Sequence, residues 1–339
     1  MTHLARCLRA FSTRQHPAPS DIAGAFTQIM DGTASEPAMA GFLIGLAAQG
    51  ERPEDIAAGA RAMRDRMLRI EAPEGAIDTC GTGGDGKGGY NISTAAAIVA
   101  AGAGATVAKH GNRAASSRSG SSDVLAALGV DLDGAPERVA RSIREAGVGF
   151  LFAPAHHAAA RHVAPVRKAL GVRTVFNLLG PLSNPAGVKR QLLGVYDPRW
   201  LHPMAEALRD LGCERALVIC GRDGMDEITT TDATDIVSLE NGTISELSFH
   251  PEDAGIALVD ENALRGGDPA FNAAAIRRLF DGEAGPFRDI VCLNAGAALV
   301  VAGLADTIAS GSVMAAQAID DGRARKTLHS MISISRGKA

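Results

Sequence analysis

The stretch IDTCGTGGDGKGGYNIST, residues 77–94, decides the fold. A short apolar strand candidate, IDTC, runs straight into Gly81, Gly83, Gly84, Gly86, Gly88 and Gly89. Asn91, Ser93 and Thr94 then precede the helical run AAAIVAAGAG. Glycines let backbone N–H groups converge on phosphate oxygens without obstruction, and Ser93 or Thr94 can cap a helix whose N-terminal dipole favours negative charge. Two familiar patterns nearly match this loop. GTGGDG satisfies G-x-G-x-x-G, but a dinucleotide site wants an acid about 20 residues on, and no Asp or Glu occurs from Gly86 to Ser122. GTGGDGKG resembles a Walker A loop, yet Gly88 stands where the magnesium-binding hydroxyl belongs. A merely flexible loop is the plainer alternative, which so many glycines beside a helix start make costly in chain entropy.

Working outward, the acid-free window carries Lys87, Lys109, Arg113 and Arg118, which suits a multiply charged anion. KHGNR (Lys109 to Arg113) follows the strand candidate ATVA and should emerge at the carboxyl edge of a sheet, where open α/β folds bind ligands. AASSRSGSS adds hydroxyls for phosphate contact. Further on, GRDGMDEITTT places Asp226 and Glu227 just past another strand end. Adjacent acids are usually surface residues, but beside phosphate loops they suit magnesium, a hard ion that takes one or two carboxylates and fills its shell with water and phosphate. HHAAARHVAPVRKALG supplies His156, His157, His162 and Arg167 on what reads as one helix kinked at Pro165. Its histidines lack the spacing of a helical zinc pair. Arg167 can hold a carboxylate in a bidentate fork or make an ordinary salt bridge.

The rest of the chain fits an α/β protein with a preceding helical segment. From Ser20 to about Ile70 the pattern is helical, with Asp21 placed to cap AGAFTQIM and Pro53 at a first helical position. After Ala76, strand candidates (IDTC, ATVAKH, VGFLFA, QLLGVY, RALVIC, DIVCLN) alternate with helical stretches, which argues a largely parallel sheet. Asn241-Gly242 within DIVSLENGTISELSF gives a hairpin signal. The expected division is a small helical domain over 1–75, joined by part of 170–189, and a large α/β domain over 76–339.

Composition excludes several classes. The chain has 339 residues, 46% hydrophobic and 21% charged, which rules out disorder. Lys+Arg 34 against Asp+Glu 38 gives a net charge of -4, so the electropositive field of a dedicated nucleic-acid binder is absent. Phe 10, Tyr 2 and Trp 1 are too few for aromatic stacking platforms. Cys7, Cys80, Cys213, Cys220 and Cys292 are odd in number and widely spaced, which fits a reducing cytoplasm rather than a disulfide framework. MTHLARCLRAF lacks a signal-peptide core, and the apolar run from Ala95 to Ala108 is too short to span a bilayer. No membrane or nucleic-acid partner is expected.

GTGGD (Gly81 to Asp85), NIST (Asn91 to Thr94), KHGNRAASS (Lys109 to Ser117), His156-His157, VRKALGVRTVFNLLGPLSNPAG (Val166 to Gly187) and DEITTT (Asp226 to Thr231) together resemble the anthranilate phosphoribosyltransferase family over essentially the full chain. The resemblance implies a helical domain plus an α/β domain with a central, mostly parallel sheet, of the nucleoside phosphorylase/phosphoribosyltransferase type. It implies a homodimer through the helical domain, and transfer of phosphoribosyl from 5-phosphoribosyl 1-diphosphate to the amino group of anthranilate, releasing pyrophosphate, in tryptophan biosynthesis. Contacts to the donor would come from Gly81, Gly84, Asp85, Gly89, Asn91, Ile92, Ser93, Thr94 and Ser121. The run Lys109, His110, Gly111, Asn112, Arg113, Ala114, Ala115, Ser116 and Ser117 would complete them. Two magnesium ions per monomer are implied, one at Ser93 and Glu227 and the other at Asp226 and Glu227. Anthranilate would meet Gly81, Asn112 and Arg167, with His110, His157 and Pro181 lining its route. No covalent nucleophile is implied.

Two departures stand out. Gly89 replaces a common Thr, removing a hydroxyl at the donor, and Ala158 to Arg161 replace an HPAM-like or HSAM-like sequence after His157, which widens the expected acceptor pocket. Two other functions compete: a nucleic-acid-binding paralogue of the same fold, disfavoured by charge and by the intact acidic pair, and a nucleoside phosphorylase, whose loops look different.

Overall fold

Four helices open the chain: α1 (His3–Ser12), α2 (Pro19–Met30), α3 (Glu36–Gln49) and α4 (Pro53–Arg64). The computed structural model describes residues 1–113 and 118–338. α2, α3 and α4 each carry a proline in the first turn, where its missing N–H forfeits no helical bond. Asp21 does not cap α2. Ala18 is the N-cap and Pro19, with its fixed φ, begins the helix; Asp21 instead accepts from Arg6 Nε at 2.7 Å and pairs with His3 at 2.9 Å, joining α1 to α2.

Seven strands follow: β1 (Ile77–Gly81), β2 (Val107–Gly111), β3 (Val148–Phe152), β4 (Arg190–Gly194), β5 (Arg215–Gly221), β6 (Thr234–Glu240) and β7 (Thr243–Phe249). They form one sheet in the order β3-β2-β1-β4-β5-β6-β7, parallel from β3 to β5 and antiparallel over β6 and β7. The hairpin signal is met: Asn241 and Gly242 have φ of 49° and 86°, the positive pair a tight hairpin turn needs. The chain builds outward from β1 through β2 to β3, then returns to the other side of β1 with β4. That reversal makes the carboxyl ends of β1 and β4 a topological switch point, the crevice where such sheets bind ligands.

Helices cover both faces. After β1 come α5 (Ile92–Gly102), α6 (Ser121–Leu128), α7 (Pro136–Ala146), α8 (Ala153–His156), α9 (Ala164–Leu170), α10 (Phe176–Leu179) and α11 (Leu201–Asp210). The chain ends on α12 (Pro269–Phe280), α13 (Pro286–Ala302), α14 (Ile308–Asp320) and α15 (Arg323–Ser335). Side chains alternate along each strand. Leu192, Leu217, Ile219 and Ile236 enter a core with α5, α13 and α15, whereas Leu193, Val218, Val237 and Leu239 enter a second core with α11, α10 and the N-terminal helices.

Two sequence expectations are corrected. DIVCLN (Asp289 to Asn294) is no strand but lies inside α13; a short apolar run has no period to separate strand from buried helix, and Pro286 and Gly303 mark the true ends. The segment after His156 is not one kinked helix. α8 ends at His156, a 3-10 turn over Ala158–His162 follows, and then α9, with Pro165 in the first turn of α9 rather than at a kink. Among the described residues no helix is long and apolar enough to cross a membrane.

Candidate active site

Gly81 and Gly194 sit side by side at the carboxyl ends of β1 and β4. A Cβ on Gly81 would collide with the Asp226 carboxylate, and one on Gly194 with the Asp226 carbonyl. The two strand ends are therefore bare so that the acidic loop after β5 can lie across the switch point. Gly83 N–H donates to Asp226 Oδ2 at 2.9 Å, tying the glycine loop to that acid. Thr82 N–H donates to the Gly194 carbonyl at 2.9 Å, and its hydroxyl accepts from Tyr196 N–H at 3.2 Å. Beyond this root, Gly83, Gly84, Gly86 and Gly88 all have positive φ, and Gly83, Gly86 and Gly88 have open space where a side chain would stand. Among the described residues, the backbone N–H groups of Gly84, Asp85, Gly86, Gly88 and Gly89 have no partner. Such a row of free N–H donors is an anion cradle.

Asp226 and Glu227 are joined by a third carboxylate, Asp85, with oxygens of all three within 4.8 Å of one another. Burial raises Glu227 well above the ordinary range, and Asp226 and Asp85 repel it further. Asp226 is raised by burial, and Asp85 is pushed to about 6 by burial and by Asp226. Three crowded oxygen donors with little opposing charge fit a hard divalent cation such as magnesium. Asp223 braces their loop, accepting from Met225 N–H at 3.0 Å, from the Thr229 hydroxyl at 2.7 Å and from the Thr231 hydroxyl. A buried cation nearby is Lys109, only 2% exposed, whose Nζ donates to the Thr79 carbonyl and lies 3.4 Å from Ser93 Oγ. Burial lowers its pKa, and the buried Asp78 opposes that shift.

The helix side of the cradle differs in detail from the sequence reading. The N-cap of α5 is Asn91, not Ser93 or Thr94, and no side chain makes the capping bond. The Asn91 amide is held laterally instead, accepting from Ser119 Oγ at 2.9 Å and Asn272 Nδ2 at 2.8 Å and donating to the Ser119 carbonyl at 3.1 Å. Ser93 and Thr94 fall in the first turn, where backbone N–H groups lack intrahelical acceptors. Ile92 is buried, and its N–H is taken by the Tyr90 carbonyl at 2.9 Å. Thr94 is buried with its hydroxyl unpartnered. Gly89 pairs with Arg265 in an isolated bridge. Gly111 ends β2, Asn112 and Arg113 are exposed, and Ser121 begins α6. Ala114, Ala115, Ser116 and Ser117 lie outside the described residues.

A second cluster flanks this edge. His110, one residue before the end of β2, is 5% exposed, and its Nδ1 donates to the Gly180 carbonyl at 3.1 Å. Because a carbonyl only accepts, that ring is the Nδ1–H tautomer. His157 lies with its ring centroid 5.1 Å away, and Nε2 of each ring is buried without a partner. Burial, then the neighbouring histidines, lowers His110 to about 3; burial, then His156, lowers His157 to about 4. Both are therefore neutral acceptors at ordinary pH. Pro181 is buried, its carbonyl accepting from Gln191 Nε2 at 2.7 Å. Arg167, on α9, lies over the Phe176 ring at 5.7 Å. Among the described residues it has no acidic partner, so the salt-bridge alternative is not realised. Beneath the cluster, the buried Asp78 accepts from His110 N–H at 3.0 Å and Asn184 Nδ2 at 2.7 Å. Sequence reasoning placed neither Asp78, Asp223 nor Arg173 in the site, and put Asp85 on the donor rather than with the acids. Only Asp85 carried a signal, its place at the end of GTGGD.

The fold and cradle define a transferase of the glycosyl transferase type. Residues 73–325 match the model of the glycosyl transferase family α/β domain, and residues 5–67 match that family's helical bundle domain. The chain is 70% identical to the anthranilate phosphoribosyltransferase of Maricaulis maris over the full length of both, and 55% identical to that of Rhodospirillum rubrum over 93% of this chain and 91% of the relative. The crystal structure of the Thermus thermophilus enzyme of that name superposes with a TM-score of 0.92 at 45% identity, covering 98% of this chain and 99% of the other. The Saccharomyces cerevisiae enzyme in complex with PRPP and Mg superposes with a TM-score of 0.90 at 25% identity, with 98% of each chain covered. This chain belongs to the anthranilate phosphoribosyltransferase family.

Proposed function

We propose that this chain transfers the phosphoribosyl group of 5-phosphoribosyl 1-diphosphate to the amino group of anthranilate, giving N-(5-phosphoribosyl)anthranilate and pyrophosphate, in tryptophan biosynthesis. The observation that carries this reading is the meeting, at one switch point, of free loop N–H groups with three carboxylates within 4.8 Å. The N–H groups take the diphosphate oxygens, aided by the first turn of α5 and by Asn112, Arg113 and Ser121. Asp226 and Glu227, with Ser93, would hold two magnesium ions, and Asp85 would add a carboxylate to their surroundings. Ions held there would supply positive charge against that developing on the departing pyrophosphate. Arg167 holds the anthranilate carboxylate. His110 and His157, being neutral, line the acceptor's route without repelling an uncharged amine, and Pro181 borders it.

No covalent nucleophile is required. An aromatic amine is already neutral at pH 7, so the chain's task is to position the amine against the anomeric carbon and to stabilise the leaving group. We further propose a cytoplasmic homodimer. Its support is α3, whose Pro37, Ile44 and Ala48 share one exposed apolar face. Loss of anthranilate fluorescence in the presence of the donor, dependent on magnesium and matched by stoichiometric pyrophosphate, is the expected result. Absence of consumption by folded, donor-binding protein would refute the acceptor assignment.

A further inference from the structure

An anion cradle must present N–H groups and turn its carbonyls away, because a carbonyl oxygen facing a phosphate is repelled. In a trans peptide the C=O and the following N–H point in opposite directions. Fixing one carbonyl from outside therefore aims the next N–H. Two peptide planes of the glycine loop are fixed in this way. Gly266 N–H donates to the Gly88 carbonyl at 3.1 Å, which sets the Gly89 N–H. Arg173 Nη2 donates to the Gly84 carbonyl, which sets the N–H of Asp85.

Arg173 is built for this contact. Its guanidinium lies over the Tyr196 ring, 3.6 Å from the centroid, and Tyr196 N–H itself donates to Thr82 Oγ1 at the root of the same loop. A Cβ on Gly84 would collide with Arg173 Nη2, so glycine at 84 is what admits the arginine. Among the described residues no acid pairs with Arg173.

Resting on the function proposed above, we propose that Arg173 is a positioning residue of the donor site: it holds the Gly84 carbonyl outward and so keeps the Asp85 N–H aimed into the cradle. It acts on the donor through Gly84.

The test is a double-mutant cycle of Arg173→Ala, Gly84→Ala and both together. It is read by KM for each substrate, by kcat, and by calorimetric binding of pyrophosphate with magnesium. Arg173→Ala is expected to raise the donor KM and the pyrophosphate Kd in parallel, on the order of tenfold, as loss of one charged hydrogen bond implies. Both kcat and the anthranilate KM stay within about twofold. Gly84→Ala displaces the guanidinium, so the double variant is expected to be no worse than the weaker-binding single variant. Fully additive losses would overturn the proposal, as would an unchanged donor KM in Arg173→Ala. If the wild-type chain binds pyrophosphate but turns over no anthranilate, the proposed function fails, while the calorimetric cycle still decides the role of Arg173.

Discussion

Arg167 and His110 carry opposite electrostatic assignments within one flank of the site. Arg167 is half-buried with no acidic partner among the described residues, and burial lowers its pKa, so a bound carboxylate would be its first counter-charge. Arg167→Ala is expected to raise the anthranilate KM by roughly 10- to 100-fold, corresponding to about 1.5–3 kcal/mol for a lost charged hydrogen bond, with the donor KM unchanged. Initial rates with each substrate varied in turn check this. His110 and His157 are held neutral, at about 3 and about 4 against the ordinary 6.5. The unfolded chain therefore binds more protons than the folded one between pH 4 and 6.5, and stability falls as pH drops through that window. His110→Asn keeps a donor for Gly180 and removes the titrating ring. Urea unfolding at pH 7.5 and pH 5.0 should show a smaller acid loss for this variant than for wild type, and an equal loss would contradict the assignment.

Glycines at strand ends separate activity from stability. Gly81 closes β1 against Asp226, whereas Gly242 turns the hairpin at the far end of the sheet, where Arg215 and Glu240 are paired in register. Gly81→Ala pushes a methyl into the acidic cluster and is expected to abolish magnesium-dependent turnover. Gly242→Ala strains a positive φ, costing about 1–2 kcal/mol of stability with kcat and KM unchanged. Kinetics and denaturant melts on the two variants would expose a wrong assignment if the effects were exchanged. The same elements mark what sequence can show. β1, its glycines and the Asn241-Gly242 turn were legible because glycine and turn residues act through local backbone geometry. α13 was not, because the apolar run within DIVCLN, residues 290–293, is too short to show the period that separates a buried helix from a strand. Arg173 was equally hidden, since its partners Gly84 and Tyr196 are distant in sequence and meet only after β1 and β4 pair.

The two cores explain how the whole molecule holds the site. One core includes α5 and α13, behind the cradle; the other joins α1 to α4, α10 and α11 to the opposite face of the sheet. Arg64 strengthens that second junction, donating to the Leu182 carbonyl at 2.6 Å and the Leu211 carbonyl at 3.3 Å. The acceptor arm of α9 and α10 is thus seated on the N-terminal helices, so whatever fixes those helices also steadies one wall of the site. α3 buries Met39, Phe42, Leu43 and Leu46 inward yet leaves Pro37, Ile44 and Ala48 exposed on the other side, with Ile44 at 41%. A helix apolar all round calls for cover on both faces, and in the homodimer proposed above a second copy of the same helix would supply it with closed symmetry. Ile44→Asp places a charge at the centre of that face and is expected to shift the chain from dimer to monomer in sedimentation velocity. Because every site residue described here lies within one chain, the monomer should retain turnover, with any loss falling on the anthranilate KM through the loosened acceptor arm. An Ile44→Asp protein that still sediments as a dimer would place the interface on another surface.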